Sequence, residues 1–440
     1  MAPRPESRVF DPAETLPRGE LSRLQLGRLR ESLELAATRP FYAGALSAAG
    51  LAPGDLRSLD QVGLLPFTTK EDLRSQYPLG LVTVPRSRIA RVHGSSGTTG
   101  KPTLAAYTRG DLEVWSGLCA RFLVAGGLRP EHLVHVAFGY GLFTGGFGLH
   151  QGIERVGAGI VPVAGGNTPR QVMLLRDLRP DVLVCTPSYA LHVAEVARAD
   201  GGDPRALGLS LGHFGGEPWT DEMRVEIERE LGIQAFNNYG LSEVIGPGVS
   251  GECAARAGMH VAEDHFLVEC LDPVTLRPVA DGTVGELVFT SLTKEAMPVV
   301  RYRTRDLASL DRRPCDCGRT GARMSRVVGR SDDMFIVRGV NVFPSQIEEA
   351  LLRVEGAAPH YVIEIARPGT LDEAVVKVEI RPRDFSDEMR QMVALRDRID
   401  HEIHSITGIR MTVELVAPSA LGRSQGKARR VIDHRQPGPA

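Results

Sequence analysis

From Arg91 to about Phe289, short β-rich apolar runs alternate with longer amphipathic stretches, and this alternation restricts the fold more than any other feature of the chain. His132 to Phe138, Gly159 to Val163, Val182 to Thr186, Leu209 to Phe214 and Gln234 to Asn238 read as strands. Thr168 to Leu178, Pro187 to Ala199 and Thr220 to Leu231 read as helices, each opened by a cap or a proline. Strand and helix in alternation imply parallel strands joined by helical crossovers, hence an α/β fold. Leu21 to Thr38 has the helical spacing of an N-terminal cap, and Gly285 to Ser291 and Val299 to Ser309 read as antiparallel strands. The 440 residues exceed the roughly 250–300 that one core can span. The character changes after Arg330: Met334 to Val337, Tyr361 to Ala366 and Glu373 to Arg381 alternate like strands, with helices at Pro344 to Val354 and Phe385 to Thr407. The expectation is a large domain over 1–330, parallel-rich sheets with helices, followed by a small α+β domain over 331–440.

The loop His93-Gly-Ser-Ser-Gly-Thr-Thr-Gly-Lys-Pro-Thr103 suits a polyphosphate, yet it is not a Walker loop. Ser95 stands where a Walker loop needs its first glycine, and Pro102 follows Lys101 where a hydroxyl should meet magnesium. Gly94, Gly97 and Gly100 let backbone N–H groups converge, Ser95, Ser96, Thr98 and Thr99 add hydroxyls, and Lys101 supplies a point charge. A kinase or motor of the Walker type is disfavoured.

Four more clusters carry chemistry. Gly215-Gly-Glu-Pro-Trp219 and Asn237-Asn-Tyr-Gly-Leu-Ser-Glu243 each follow a strand, at the carboxyl edge where open α/β sheets bind ligands. The second offers amides, an aromatic face and a carboxylate that suit an adenine and a cation, although an Asn-capped turn reads the same way. Arg301-Tyr-Arg-Thr-Arg-Asp306 ends a β-like run, where Asp306 can accept both hydroxyls of a ribose or simply join an ion-pair cluster. Gly329-Arg-Ser-Asp-Asp333 marks the domain border and reads as a hinge.

The six cysteines are too few for a disulfide framework in so long a chain. Cys253, His260, Cys315 and Cys317 form instead the Cys₃His set of a closed structural zinc site. A net charge of −2 makes no electrostatic case for nucleic acid or an anionic membrane, and apolar runs are too short to span a bilayer. No secretory signal is evident at the N-terminus, so the expected location is cytoplasmic.

In this order the clusters resemble the phenylacetate-CoA ligase family, the aryl-CoA ligases of the adenylate-forming superfamily. The matching segments are Ser95-Ser-Gly-Thr-Thr-Gly-Lys-Pro102, Phe138-Gly-Tyr-Gly-Leu-Phe-Thr-Gly-Gly146, Gly216-Glu-Pro-Trp219, Tyr239-Gly-Leu-Ser-Glu243, Tyr302-Arg-Thr-Arg-Asp306 and Gly329-Arg-Ser-Asp-Asp-Met334, continuing through Arg338-Gly-Val-Asn-Val-Phe-Pro-Ser-Gln346. The resemblance implies an AMP-forming ligase that uses ATP, Mg²⁺ and coenzyme A. It would activate phenylacetate or an amino- or hydroxy-substituted benzoate such as anthranilate as acyl-AMP, then as the thioester. Carried over by position, Ser95 to Lys101 grip the β- and γ-phosphates, with Mg²⁺ held through Glu243. Gly215, Gly216, Glu217, Pro218, Asn237, Asn238, Tyr239, Gly240 and Ser242 surround the nucleotide, Asp306 binds the ribose, and Arg330 lies nearby. Lys427 approaches the carboxylate and α-phosphate in the first half-reaction, and Asp332 is the pivot on which the small domain turns. Tyr140, Gly141, Phe143, Gly145 and Gly146 are expected in a loop beside a flat ring, with His213 hydrogen-bonding a ring substituent. Two other readings stay open: a free-standing enzyme loading a carrier protein, and a nucleotide-binding regulator without turnover. A homodimer is compatible with all three.

Overall fold

The computed structural model describes residues 8–95, 102–332, 335–337, 340–367, 372–381, 384, 388–422 and 430–435. The expected alternation is present as a nine-stranded mixed sheet. Its parallel half runs, in spatial order, Gln234–Leu241, Leu211–Phe214, Val182–Cys185, Leu133–Val136 and Gly159–Pro162. Val182 to Cys185 are all buried, as they must be in a central strand covered by helices on both faces. The crossover helices Thr168–Leu178, Pro187–Ala199 and Asp221–Leu231 sit where the sequence puts them. Thr220 caps the last of these by accepting from the Met223 N–H, and Gly232 ends it at φ 70°, a left-handed conformation glycine adopts without penalty.

Beyond Leu241 the sheet turns antiparallel through Gly246–Glu252, Met259–Val261, Arg323–Met324 and Leu310–Asp311. A second, four-stranded antiparallel sheet contains Phe266–Leu271, Gly285–Ser291, Tyr302–Ala308 and Gly329–Arg330. The N-terminal helix, Arg18–Ala36, is tied to this region: Ser32 Oγ donates to the Ser291 carbonyl at 2.7 Å and Gln25 Nε2 to that of Glu263 at 2.8 Å. Two helices did not stand out in the sequence, Arg109–Ala125 and Gly145–Val156. They cross closely because Gly152 leaves room for Cys119, whose Cβ lies 2.4 Å from where a Gly152 Cβ would stand.

A separate apolar core holds Phe335, Val342, Ile347, Leu351, Ile363, Val376, Ile399 and Ile403 with their neighbours. It lies between the helices Pro344–Arg353 and Met389–Thr407 and a sheet ordered Thr412–Val416, Glu373–Ile380, Ala357–Ala366, Val431–Asp433. The three-residue strand Val431–Asp433 pairs in parallel with Ile363 to Ile365, a long-range closure with no local signal. No helix among the described residues is long and apolar enough to cross a membrane.

The two parts meet across a charged seam. His360 Nε2 lies 2.9 Å from Glu195 Oε1, and Arg381 pairs with Glu226 at 2.9 Å. Glu348, on the helix Pro344–Arg353, is buried, and this burial pushes its carboxyl up to about 7 despite Arg430 at 3.5 Å; Glu217 and Glu222 add to the rise and Arg326 opposes it. A carboxyl raised on folding is protonated more readily in the folded chain, so stability falls as pH rises from the unfolded value toward 7. Glu348→Gln should therefore match the parent near pH 4.5 and gain on the order of 2 kcal/mol by pH 8 in urea unfolding. Parallel curves across that range would refute the assignment.

Candidate functional site

The carboxyl ends of the parallel strands open into a cleft of about 1280 Å³, counted to its solvent mouth. Register explains the convergence: Phe214 pairs with Asn237, so the turn Gly215–Gly216 and the segment Asn237–Tyr239 leave the sheet side by side. Gly216, Glu217 and Pro218 line one wall and Asn237, Asn238, Tyr239, Gly240 and Ser242 the other. Gly215 lies beneath the lining, its missing Cβ letting the Asn238 carbonyl come to 2.5 Å of that position. Asn238 Nδ2 donates to the Phe214 carbonyl at 2.8 Å, and Glu217 Oε1 accepts from the Ser188 N–H at 2.8 Å. Both walls are thus fixed by side chains bonded to backbone rather than by packing alone.

Asp306 closes the far side. Its Oδ2 accepts from the Tyr239 hydroxyl at 2.6 Å and its Oδ1 from Arg330 Nη1 at 2.8 Å. The same guanidinium reaches Asp332 through Nε at 2.9 Å and Nη2 at 3.0 Å. Burial, then the neighbouring Asp306 carboxylate, raises the Tyr239 phenol well above its ordinary value, which keeps it a donor. The carboxylate is oriented and still faces the cleft, the arrangement a sugar diol requires.

At the polar end stand Ser95, Glu243 and Lys70. Glu243 is 6 % exposed, and Lys70 Nζ lies 3.9 Å from its Oε1. Behind it, buried Lys294 donates to the Val244 carbonyl at 2.9 Å and sits 4.6 Å over the Tyr107 ring; burial pushes its ammonium down to about 8. The Glu243 carboxylate lines the cleft and offers the hard oxygen ligands that a divalent ion takes. Ser96, Gly97, Thr98, Thr99, Gly100, Lys101 and Lys427 lie outside the described residues. Lys70 was missed in the sequence. Its Thr69-Lys-Glu-Asp72 context forms a capping box that marks a helix start but carries no hint of a cleft.

The other end of the cleft is apolar, built from Phe138, Leu149, Leu241, Pro247 and Met259 with Phe143 and Gly145. Three expectations are corrected here. Tyr140 and Gly141 are not part of the lining; the Tyr140 hydroxyl instead lies 3.1 Å from His150 Nδ1, with the ring edge-on to Phe147. His213 is not in the lining either. It is 1 % exposed, stacked on Phe236 and edge-on to Phe122, and burial drives its imidazole down to about 3, so it is a neutral core residue. Gly145 and Gly146 were expected in a loop and instead begin the helix Gly145–Val156, where the Gly139 carbonyl lies 2.6 Å from the place of a Gly146 Cβ.

Away from the cleft, Cys253, His260, Cys315 and Cys317 converge, their ligand atoms all within 4.8 Å of one another. His260 Nε2 lies 3.3 Å from Cys317 Sγ, and Cys253 and Cys315 sulfurs are 3.8 Å apart. Three thiols and an imidazole in one partly buried cluster match the donor set and size of a tetrahedral zinc centre.

Two family models match the chain: "AMP-binding enzyme" over residues 58–293 and "AMP-binding enzyme C-terminal domain" over residues 339–435. A phenylacetate-coenzyme A ligase of Thermus thermophilus is 50 % identical, the alignment covering 96 % of this chain and 98 % of the relative. One of Escherichia coli is 48 % identical over 97 % and 98 %. Among solved structures, a 2-hydroxyisobutyryl-CoA ligase in the postadenylation state superposes with a TM-score of 0.92 at 33 % identity, covering 98 % of this chain and 94 % of that one. The same ligase in its thioesterification state, with CoA, gives 0.71 at 34 % identity over 96 % and 92 %.

The tightest point in the cleft is Gly240, where a Cβ would stand 1.9 Å from the Gly246 carbonyl oxygen. Backbone cannot yield there, so Gly240→Ala should displace the Tyr239–Glu243 wall, cost more than about 2 kcal/mol of stability and weaken AMP binding at least tenfold. Unchanged AMP affinity by calorimetry would contradict this account of the wall.

Proposed function

The chain belongs to the AMP-binding enzymes and, within them, to the phenylacetate-CoA ligase family; it is an AMP-forming aryl-acid:CoA ligase, and we propose that its acid is phenylacetate or an amino- or hydroxy-substituted benzoate. The observation that carries this reading is one cleft whose lining brings three chemistries together. A diol-binding carboxylate, Asp306, lies beside a nucleotide-sized slot. The same lining holds an acidic group at Glu243 and an apolar set of Phe138, Leu149 and Met259.

In this reading Tyr239 and Pro218 flank the adenine, and Asp306, held by Arg330, accepts from the ribose hydroxyls. The acid's ring enters the apolar recess, so its carboxylate points at the α-phosphate. Attack forms a carboxyl-oxygen to phosphorus bond as pyrophosphate leaves with the electron pair; the thiolate of CoA then forms the thioester and releases AMP. A magnesium ion held by Glu243 would neutralise phosphate charge as it builds. Ser95 and the loop to Lys101 hold the β- and γ-phosphates, and Lys427 meets the α-phosphate and carboxylate in the first step. The small domain turns about Asp332 between the steps. The drop in similarity from the postadenylation to the thioesterification state of the 2-hydroxyisobutyryl-CoA ligase supports a change of pose in this fold.

Pyrophosphate release with ATP, Mg²⁺ and a panel of phenylacetate, benzoate, anthranilate and hydroxybenzoates should require one of these acids and turn over repeatedly only with CoA. Acid-dependent release indifferent to CoA would point instead to a carrier-protein acceptor.

The Cys₃His cluster we read as a structural zinc site, since none of its four residues lines the cleft and two of its cysteines, Cys253 and Cys315, are buried. Metal analysis should return close to one zinc per chain, and Cys315→Ser should lose it and lower the melting temperature. Less than about half an equivalent in the parent protein would defeat the assignment.

A further inference from the structure

Among the described residues that line the cleft, Lys70 is a cation that neither the motifs nor the carried-over roles use. Lys70 opens the short helix Lys70–Ser75, and its ammonium stands 3.9 Å from Glu243 Oε1 on the same wall as Ser95 and Tyr302. Its position is built rather than incidental. Thr68 bridges to the strand Tyr302–Ala308, donating its N–H to the Arg301 carbonyl at 3.1 Å and accepting from the Arg303 N–H at 2.9 Å. Arg301 anchors the approach by donating to the Gly63 and Leu65 carbonyls at 2.9 and 2.8 Å and lying 4.0 Å over the Phe67 ring. Thr69 then caps the helix reciprocally with Asp72, which fixes where Lys70 leaves the backbone.

A lysine whose backbone is held this firmly, its side chain one-third exposed and 3.9 Å from the Glu243 carboxylate, does little for stability as a surface ion pair. It is well placed to meet an anion. We propose that Lys70 is a catalytic residue that binds the triphosphate of ATP beside Glu243, and the pyrophosphate that leaves; this rests on the reading of the cleft given above. The chemical logic lies in which body carries it. Lys427 falls in the segment matched by the C-terminal family model, whereas Lys70 follows by two residues Thr68, which pairs with the strand that carries Asp306. When the carboxylate–phosphorus bond forms and the bond to pyrophosphate breaks, the electron pair passes to the pyrophosphate oxygen and no proton moves. A fixed ammonium there lowers the energy of that charge without reorganising.

The test is binding of MgATP, magnesium pyrophosphate and AMP, each by calorimetry, to the whole protein and its K70A, K70Q and K70R variants, together with melting temperatures. Loss of one charge-assisted contact should weaken MgATP and pyrophosphate binding by roughly 10-fold or more in K70A and K70Q, with AMP held within about twofold because it lacks the β- and γ-phosphates. K70R should recover most of the lost affinity. Unchanged MgATP affinity in K70A overturns the proposal, as does a parallel loss for AMP and ATP with a lowered melting temperature, the mark of a merely structural lysine. Failure of the parent protein to bind MgATP would sink the reading of the cleft itself, and the lysine's role with it.

Discussion

One buried carboxylate joins the parts of this molecule that must meet around a nucleotide. Asp306 belongs to the small antiparallel sheet, Tyr239 to the large mixed sheet, and Arg330 to the segment leading into the C-terminal part. Their hydrogen bonds at 2.6 and 2.8 Å close the far wall of the cleft, and the same guanidinium continues to Asp332. A hydrogen bond to a charged group is worth about 1.5–3 kcal/mol, but breaking a buried pair costs more, since the remaining charge is left unpaired. The arrangement therefore specifies geometry more than it adds stability.

The strand bearing Asp306 is itself irregular. Arg301 and Arg305 adopt φ of 42° and 66°, left-handed values that a side chain tolerates only when its surroundings impose them. Arg301 is imposed upon from several directions, by a forked pair with Glu269 at 2.8 and 2.9 Å and by carbonyls of the segment before Phe67. One arginine thus fixes both the strand that presents Asp306 and the chain that presents Lys70. This shared anchor ties the strand that carries Asp306 to the segment that carries Lys70, so the two sides of the cleft they line are positioned together.

Much of the architecture was legible in the residues. Val182 to Cys185 read as a strand because a fully buried parallel strand is continuously apolar, and Asp221–Leu231 read as a helix because Thr220 and Gly232 punctuate it. The helices Arg109–Ala125 and Gly145–Val156 were less visible. The second begins with two glycines, which read locally as a loop; in the fold Phe143 lies against Gly145 and the Gly139 carbonyl against Gly146, contacts that a side chain at either position would obstruct. In the cleft, the segments after Phe214 and Phe236 were legible because carboxyl strand ends are where α/β sheets bind ligands. His213 misled for the same reason: proximity to that edge does not say which face of the strand a side chain takes, and this one faces Phe122 and Phe236.

The sequence by itself determined the order of elements, the helix caps, the glycine turns and the chemical types available to a cleft, because these depend on neighbours within a few residues. Only the tertiary structure decided which of them meet. Cys253 and Cys315 approach to 3.8 Å across 62 positions of chain, and Lys70 reaches Glu243 across more than twice that separation. Strand pairing sets those distances: Thr68 beside Tyr302, and Arg323 beside His260, are long-range registers that no local periodicity encodes. Composition supplies the donors and charges, and register selects the few that share a wall.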